Sequence, residues 1–403
     1  MIDTERGRHA PRTILSGASI VLPDRILHPG TLVIEDGRIA SVGAGARPSG
    51  SEPGLIDCRG HLILPGFIDV HVHGVEGADA LDGAGGVAAI AARLPRYGVT
   101  AFCPTSIACA PAPLRAMLAA VRAARHAASG ARVLPAHLES NFINPDYCGA
   151  QPVECLRLPR GGMVEGSFSG DDILAAIEAA RGDVGIMTVA PELDGAIGLI
   201  GDLVASGIYV SLGHSGASYE QALAGIEAGA TQATHLFNRM TPLGHRAPGL
   251  AAAVLESERV TAEIICDGVH VHPAMLRIAV AAKGSDKIMA ITDGTAGSGL
   301  PIGTRTLLGD RAITIGDVAR LDDGTIAGST LTMDKAFRNL VHGLRMSVLD
   351  AARSCATTPA EALGLAQVGR LSEGWIADLT VLDERLEVRS TFVGGQLAWS
   401  AGA

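Results

Sequence analysis

The sequence predicts a (β/α)8 barrel of the TIM type, joined to a small β-sandwich domain that both ends of the chain build. The chain has 403 residues, which is longer than a single core usually grows, and large α/β barrels are the main exception to that limit. Its middle alternates short apolar runs with alanine-rich stretches of helical character. Both ends instead alternate apolar and polar residues around turns, which is typical of short strands.

The two ends have the same β-rich texture. Near the N-terminus, TILSGASIVLP (13–23) and TLVIEDGRIASVG (31–43) alternate apolar and polar residues, and the second run contains the turn Glu35-Asp36-Gly37. From about Gly374 onward the pattern returns in WIADLTVLD and LEVRSTFVGGQLAW. We therefore predict one small β domain made of residues 1–65 and 366–403.

The barrel is predicted to span residues 66–365. Eight apolar runs alternate with helical stretches there, which matches the strand count of a (β/α)8 barrel. A β excursion is expected near 301–328, and helices are expected within 334–365. The candidate barrel strands are 67–73, 99–104, 132–139, 184–190, 208–214, 231–236, 261–266 and 287–293.

Residues of the types that bind metals lie at one end of these predicted strands. Two of them are two positions apart on strand one, so both project from the same face. The others end strands three, five, six and eight. Barrel active sites are built at the carboxyl ends of the strands, so the six residues are expected to meet there: His71, His73, Glu139, His214, His235 and Asp293.

These residue types predict a hydrolytic metal centre. Neutral imidazoles and carboxylates suit zinc or a similar divalent ion, which acts as a Lewis acid and lowers the pKa of a water from 15.7 to about 7. Asp293 is the candidate to accept the water proton and pass it to the leaving amine. One or two ions are expected per chain, because Glu139 can bridge two. A carboxylated lysine cannot bridge them, since no lysine precedes Lys283.

Several stretches resemble the N-acetylglucosamine-6-phosphate deacetylase family of the amidohydrolase superfamily. Together they follow nearly the whole barrel in order: LPGFIDVHVHG (64–74), HLES-FINP (137–145), SLGHSGAS (211–218), ATHLFNRM (233–240), CDGVHVHP (266–273), ITDGTAGSG (291–299) and AGSTLTMDKAFRNLV (327–341). The resemblance implies a deacetylase that converts N-acetylglucosamine 6-phosphate to glucosamine 6-phosphate and acetate.

The resemblance also implies roles for individual residues. Glu139, His214 and His235 would hold the principal ion, and His71 with His73 would supply a second site found in some members. Asp293 would be the general base and acid, and His270 would help to polarise the substrate carbonyl. Asn238 and Arg246 would contact the phosphate, with Arg246 reaching across a homodimer.

Three departures from the family pattern lie in the expected substrate loops. Ser140-Asn141 replaces Gly-Pro, Ala247 replaces a glutamate, and Gln151 replaces a histidine that contacts the sugar. Gln151 is therefore either a substituted sugar contact or a neutral loop residue. A different sugar epimer, an unphosphorylated sugar, a cyclic amide substrate and a catalytically silent scaffold all stay open as functions.

The composition limits the classes of partner and the cellular setting that we expect. The net charge of −10 argues against nucleic acid, because a phosphate backbone needs a basic surface. No apolar run approaches the ~18 residues of a membrane span, and the polar first residues lack a secretory signal. Seven scattered cysteines without a C-x-x-C pair fit reduced thiols. A cytoplasmic enzyme acting on a small molecule is expected.

Overall fold

A barrel of eight parallel strands forms the middle of the chain in the computed structural model, which describes residues 12–48, 50, 52–127, 129–159 and 167–402. Neighbours along the chain pair in parallel. Strand eight closes against strand one, because the Asp293 amide donates to the His71 carbonyl (2.9 Å) and Val72 bridges Gly294. The predicted barrel is confirmed. Its strands are Phe67–Val72, Val99–Ser106, Arg132–Val133 with Ala136–Leu138, Val184–Val189, Tyr209–Leu212, Gln232–Ala233, Thr261–Ile265 and Ile288–Ile291.

Two strands differ most from their predicted extent, while the bounds of the other six lie within two residues of the prediction. Strand three was expected to be continuous over 132–139, but it is broken into two pieces around Pro135. Proline has no backbone N–H to donate to a neighbouring strand, which accounts for the break. Strand six is only Gln232–Ala233, because the chain leaves the ladder there and turns into the loop that begins at Thr234.

Ten α-helices lie within the described segments, where they follow the barrel strands and surround them. The helix Pro111–Arg125 shows the usual pattern, since it buries Leu114, Leu118 and Val121 on one face. Ser218 caps the N-terminus of the helix Tyr219–Glu227 and forms a capping box with Gln221. The helices are Gly86–Arg93, Pro111–Arg125, Gly170–Ala179, Ala196–Ala205, Tyr219–Glu227, Gly249–Glu256, Pro273–Lys283, Met333–Arg338, Val348–Ala352 and Thr358–Ala362.

Strands from both ends of the chain form the small domain. Leu62–Pro65 pairs antiparallel with Leu379–Leu382, which joins the two ends in one eight-stranded, mainly antiparallel sheet. The predicted boundaries at 65/66 and 365/366 stay a prediction, and residues 1–11 lie outside the described residues. The strands are Thr13–Val21, Ile26–Glu35, Arg38–Ala44, Leu55–Asp57, Leu62–Pro65, Leu379–Leu382, Val388–Val393 and Gln396–Ser400.

A buried ion pair ties the small domain to the barrel. Arg132, in barrel strand three, donates to both oxygens of Asp378 from its Nε (2.8 Å) and its Nη2 (3.2 Å). The side chain of Asp378 is 2% exposed and that of Arg132 is 12% exposed. The carboxylate also accepts a hydrogen bond from the backbone amide of Gly394 (2.6 Å), inside the small sheet.

Two small sheets stand beside the carboxyl ends of the barrel strands. One is a hairpin of Gly74–Val75 with Ala78–Asp79 after strand one. The other is a three-stranded antiparallel sheet of Arg305–Leu308, Arg311–Ile315 and Ala319–Leu321, which lies in the β excursion expected after strand eight. Within the described part of the chain, no helix has the length and apolar character to cross a membrane.

Candidate metal centre and active site

The six predicted ligand-type residues meet at the carboxyl end of the barrel. His71 lies inside strand one, and the other five follow their strands by one or two residues. All six are buried, with relative exposures between 0 and 6%. Residues up to 222 positions apart in the chain thus form one cluster, as the pattern along the strands predicted.

Glu139 and two histidines form the tightest part of this cluster. Glu139 Oε1 lies 2.8 Å from His214 Nε2 and 2.8 Å from His235 Nε2. The two Nε2 atoms are 3.1 Å apart. One carboxylate oxygen and two imidazole nitrogens therefore point at a common centre, which is the ligand chemistry of a divalent ion such as zinc.

A second group of possible ligands shares Glu139. His71 Nε2 and His73 Nε2 are 3.4 Å apart, and His73 Nε2 lies 3.4 Å from Glu139 Oε2. Asp293 Oδ1 is 3.2 Å from His73 Nε2 and 3.5 Å from His71 Nε2. Glu139 Oε1 also lies 3.8 Å from His71 Nε2, so the Glu139 carboxylate stands between the two histidine pairs, where it could bridge two ions.

Outer partners fix which nitrogen of each ring faces the centre. The Nδ1 atom of His71 lies 2.9 Å from Glu263 Oε2, that of His73 lies 3.2 Å from the Thr105 carbonyl, and that of His214 lies 2.8 Å from the Tyr147 carbonyl. Each acceptor favours a proton on Nδ1, which leaves the Nε2 lone pair directed inward. The Nδ1 of His235 has no such partner among the described residues. The residues present fit a metal ion.

Three of the clustered residues have a backbone conformation that side chains rarely adopt. The φ angles are +48° at His214, +30° at His235 and +47° at Asp293. Such left-handed conformations cost on the order of 1–3 kcal/mol each and persist where the surrounding structure enforces them, which is frequent at functional sites. The turn immediately after each strand thereby aims its side chain across the barrel mouth.

The electrostatic setting keeps both carboxylates ionised. Burial alone would raise the pKa of Glu139, but the charge and hydrogen bonds of His214, with those of His235 and His73, hold that pKa well below its usual value. Burial also opposes ionisation of Asp293, yet hydrogen bonding to His73 and the charge of His71 lower the pKa of Asp293. Ionised carboxylates are what a metal ligand and a general base require.

The pKa values of His71 and His73 shift in opposite directions. Burial lowers the pKa of His71 to about 4, so its ring is neutral and suited to bind a cation. Burial acts in the same direction on His73, but hydrogen bonds to Asp293 and Glu139 outweigh it and raise the pKa of His73 to about 10. A metal ion at His73 would compete with the proton that these two carboxylates stabilise, because only the neutral ring binds a cation.

A cavity of about 480 Å³ opens above the cluster. Its size falls within the usual range for small-molecule sites. His73, Glu139, His214, His235 and Asp293 form part of its lining. The rest of the lining comes largely from the loop at 146–151, the loop after strand six and the three-stranded sheet, which contributes Leu308.

The predicted substrate-binding residues take different positions. His270 lines the cavity, and its Nδ1 pairs with Asp267 Oδ2 at 2.7 Å, which orients the ring. Asn238 also lines the cavity, although its Nδ2 donates to the His235 carbonyl (3.1 Å) and so keeps one N–H for a ligand. Arg246 is exposed and does not line the cavity of its own chain.

Gln151 occupies an unexpected place. It lines the cavity, but it is buried, and its Nε2 donates to Glu139 Oε2. Its Oε1 accepts from the Ala108 backbone amide (2.7 Å), which fixes the orientation of the side-chain amide. Gln151 thus contacts a candidate metal ligand directly, a contact that the sequence pattern did not predict.

Sequence reasoning missed two further residues of the site. Glu263 lies within strand seven and is fully buried, and its carboxylate pairs with His71. A lone glutamate in the otherwise apolar run TAEIIC was a usable signal for it. Asp267, which orients His270, lies in the stretch CDGVHVHP, and its spacing of three residues from His270 was the available signal.

Comparisons with known proteins agree with this geometry. The sequence profile of the Amidohydrolase family matches residues 62–398. The N-acetylglucosamine-6-phosphate deacetylase of Rattus norvegicus is 35% identical over 406 residues, covering 96% of this chain and 94% of the relative. An N-acetylgalactosamine-6-phosphate deacetylase of Escherichia coli O157:H7 is also 35% identical, over 343 residues, covering 84% of this chain and 88% of the relative.

A solved structure has the same architecture. It is a mutant of the Mycobacterium smegmatis N-acetyl-D-glucosamine-6-phosphate deacetylase in complex with N-acetyl-D-glucosamine-6-phosphate. It superposes with a TM-score of 0.88 at 33% identity and covers 98% of this chain and 100% of that chain. The chain therefore belongs to the amidohydrolase family and, within it, to the N-acetylglucosamine-6-phosphate deacetylase family.

Proposed function

We propose that this enzyme removes the acetyl group from N-acetylated amino sugar 6-phosphates, with N-acetylglucosamine 6-phosphate as its principal substrate. The observation that carries the proposal is the convergence of Glu139, His214 and His235 beneath a cavity that also reaches Asp293 and His270. The names of the relatives supply the substrate class.

Glu139, His214 and His235 would hold the principal ion, and His71 and His73 would hold a second one together with Glu139. We propose zinc, because it accepts imidazole and carboxylate ligands in a catalytic site with an open position. When bound, a divalent ion supplies Lewis acidity toward the acyl oxygen and acidifies the attacking water.

Asp293 is proposed to move the proton. Its carboxylate is ionised and lies at the cavity floor beside His73, so it can accept the proton of the attacking water. Water oxygen bonds to the acyl carbon and the C–N bond breaks. Asp293 then returns the proton to the nitrogen, so that the amine leaves neutral; the second water proton stays on the acetic acid formed, which releases it to solvent and becomes acetate.

The remaining predicted residues would bind the substrate. His270, oriented by Asp267, would donate to the acyl oxygen. Asn238 would contact the phosphate through its unused N–H, and Arg246 would reach the site of a partner subunit in a homodimer. Arg246 is exposed and lies outside the cavity of its own chain, which supports its proposed contact with a partner subunit. Seven free cysteines support a reducing, cytoplasmic setting.

The test is a deacylation panel with enzyme of defined metal content. N-Acetylglucosamine and N-acetylgalactosamine are each supplied with and without the 6-phosphate, and acetate and free amine are both quantified. We expect equal amounts of acetate and amine from the phosphorylated sugars. Absence of acetate release from every N-acetylated 6-phosphate, in enzyme shown to contain metal, would refute the proposal.

N-Acetylgalactosamine 6-phosphate is a second candidate substrate. The relative named for it matches this chain at the same 35% identity as the rat relative named for the glucose epimer. A higher kcat/KM for the galactose epimer in the panel would reverse the preference.

A preference for unphosphorylated sugars would identify a deacetylase of the free sugars, and opening of a cyclic amide without release of acetate would identify a cyclic amidase. A chain that binds no metal would be a catalytically silent scaffold.

A further inference from the structure

Arg239 is the one basic side chain of arginine or lysine type among the described residues that line the cavity. Three carboxylates line the cavity, those of Glu139, Asp146 and Asp293. A bound metal ion would offset the charges of Glu139 and Asp293, but a doubly charged phosphate elsewhere in the cavity would still be favoured by a facing cation, because Coulomb energies grow in a partly enclosed site.

The backbone of Arg239 is held in an unusual conformation. Its φ is +49°, and that of Phe237, two residues before, is +77°. The Arg239 carbonyl accepts from the Ser215 amide (2.9 Å), and Met240 bridges Ser215, so the strained loop is tied to the segment after strand five. Strain that is enforced in this way is frequent in segments that clamp ligands.

The side chain of Arg239 lies against the loop that carries Gly149, and both residues line the cavity. A Cβ atom placed on Gly149 would come within 2.7 Å of Arg239 Nε, so the arginine packs directly over this glycine. Gly149 itself has a φ of +62° and lines the cavity, two residues before Gln151. The exposed side chain of Arg239 therefore packs over a glycine of the cavity lining, where its guanidinium can reach a ligand in the cavity.

The guanidinium of Arg239 has no ion-pair or hydrogen-bond partner among the described residues. Some other exposed arginines do have such a partner, since Arg25, Arg181 and Arg305 each pair with a carboxylate. An arginine with unused N–H donors on a cavity wall can bind phosphate through two parallel hydrogen bonds. Asn238, the adjacent residue, lines the same wall.

We propose that Arg239 supplies, within the same chain, the cationic contact that makes the site selective for phosphorylated amino sugars. The inference rests on the proposed deacetylase function. It differs from the role of Arg246, which does not line the cavity of its own chain. Selectivity for the phosphate would then survive, at least in part, in a monomer.

The test compares Arg239→Met and Arg239→Lys with the wild type on N-acetylglucosamine with and without the 6-phosphate. We expect Arg239→Met to raise KM for the phosphorylated sugar about 10- to 100-fold, because a hydrogen bond to a charged group is lost. The kcat/KM for the unphosphorylated sugar should not change, and lysine should restore part of the loss. Arg259→Met, which removes an exposed arginine outside the cavity, is the matched control.

Direct binding separates this inference from the proposed function. Calorimetric titration with glucosamine 6-phosphate and with glucosamine should show that Arg239→Met weakens only the phosphorylated ligand. Equal affinities of wild type and Arg239→Met for glucosamine 6-phosphate, or equal losses for both ligands, would overturn the role of Arg239. Failure of the wild type to release acetate would count against the proposed function alone.

Discussion

At the scale of single residues, the proposed proton transfer by Asp293 can be tested most directly by one substitution. Asp293→Asn keeps the shape of the side chain but removes the acceptor for the water proton. We expect kcat to fall by about 10²- to 10⁴-fold, the usual contribution of a positioned general base. Metal content and the affinity for glucosamine 6-phosphate should stay near wild type in the same preparation.

Asp146→Asn is the control for this substitution. Asp146 lines the same cavity but is exposed and outside the metal cluster, so its loss should leave kcat unchanged. A wild-type kcat in Asp293→Asn would remove Asp293 from proton transfer. A loss of metal in that variant would show that Asp293 acts chiefly as a ligand.

Gln151 gives a second test at this scale, because it contacts Glu139 as well as the cavity. Gln151→Met keeps the length of the side chain but removes both hydrogen bonds, those to Glu139 and from Ala108. We expect zinc affinity, measured by competition with a chelator, to weaken about 10- to 100-fold, as is usual when an outer partner of a metal ligand is lost.

The comparison with the sugar KM then decides how Gln151 acts. Weaker zinc binding with an unchanged KM at saturating zinc would identify it as a positioning residue for Glu139. Unchanged zinc affinity with a raised KM would instead assign it to sugar binding, the role that its alignment with a family histidine suggested.

At the scale of elements, the separation of neighbouring barrel strands sets the distance between ligands. Gly213 lies between the end of strand five and His214, and a Cβ atom there would lie 2.7 Å from Thr234 Cβ and 3.2 Å from Thr188 Cγ2. Gly213→Ala must therefore push strand five away from strand six and displace His214 from His235. We expect a loss of about 1–3 kcal/mol in the free energy of unfolding, together with weaker zinc binding.

Gly201→Ala is the matched control for this strand effect. Gly201 lies within the helix Ala196–Ala205, and an added Cβ there meets nothing within 4 Å. Alanine should raise stability by about 0.5–1 kcal/mol, because it favours the helical backbone, without altering zinc binding. Urea unfolding and zinc titration of both variants check the contrast. Wild-type zinc affinity in Gly213→Ala would contradict the proposed spacing.

The sequence was informative about elements wherever a local pattern was sufficient. Parallel barrel strands are buried on both faces, so their apolar runs stood out between alanine-rich helices and placed His71, Glu139 and His214 at the correct ends. Contacts between distant segments leave no such local signature. The pairing of Glu263 with His71 joins residues 192 positions apart, and the left-handed backbone at His235 depends on packing that no neighbour in sequence specifies.

At the scale of the whole molecule, the buried pair of Arg132 and Asp378 couples the barrel to the small domain. Removing one partner leaves a buried charge without compensation, which typically costs about 3–5 kcal/mol. Arg132→Met should therefore destabilise the protein by that amount in urea unfolding. The double variant Arg132→Met/Asp378→Asn should lose less free energy of unfolding than the single variant, because no unpaired charge remains.

The control is Arg305→Met, which breaks the exposed pair with Asp322 and should cost less than about 1 kcal/mol. A cost for Arg132→Met no larger than that of Arg305→Met would show that the small domain is not held to the barrel through this ion pair.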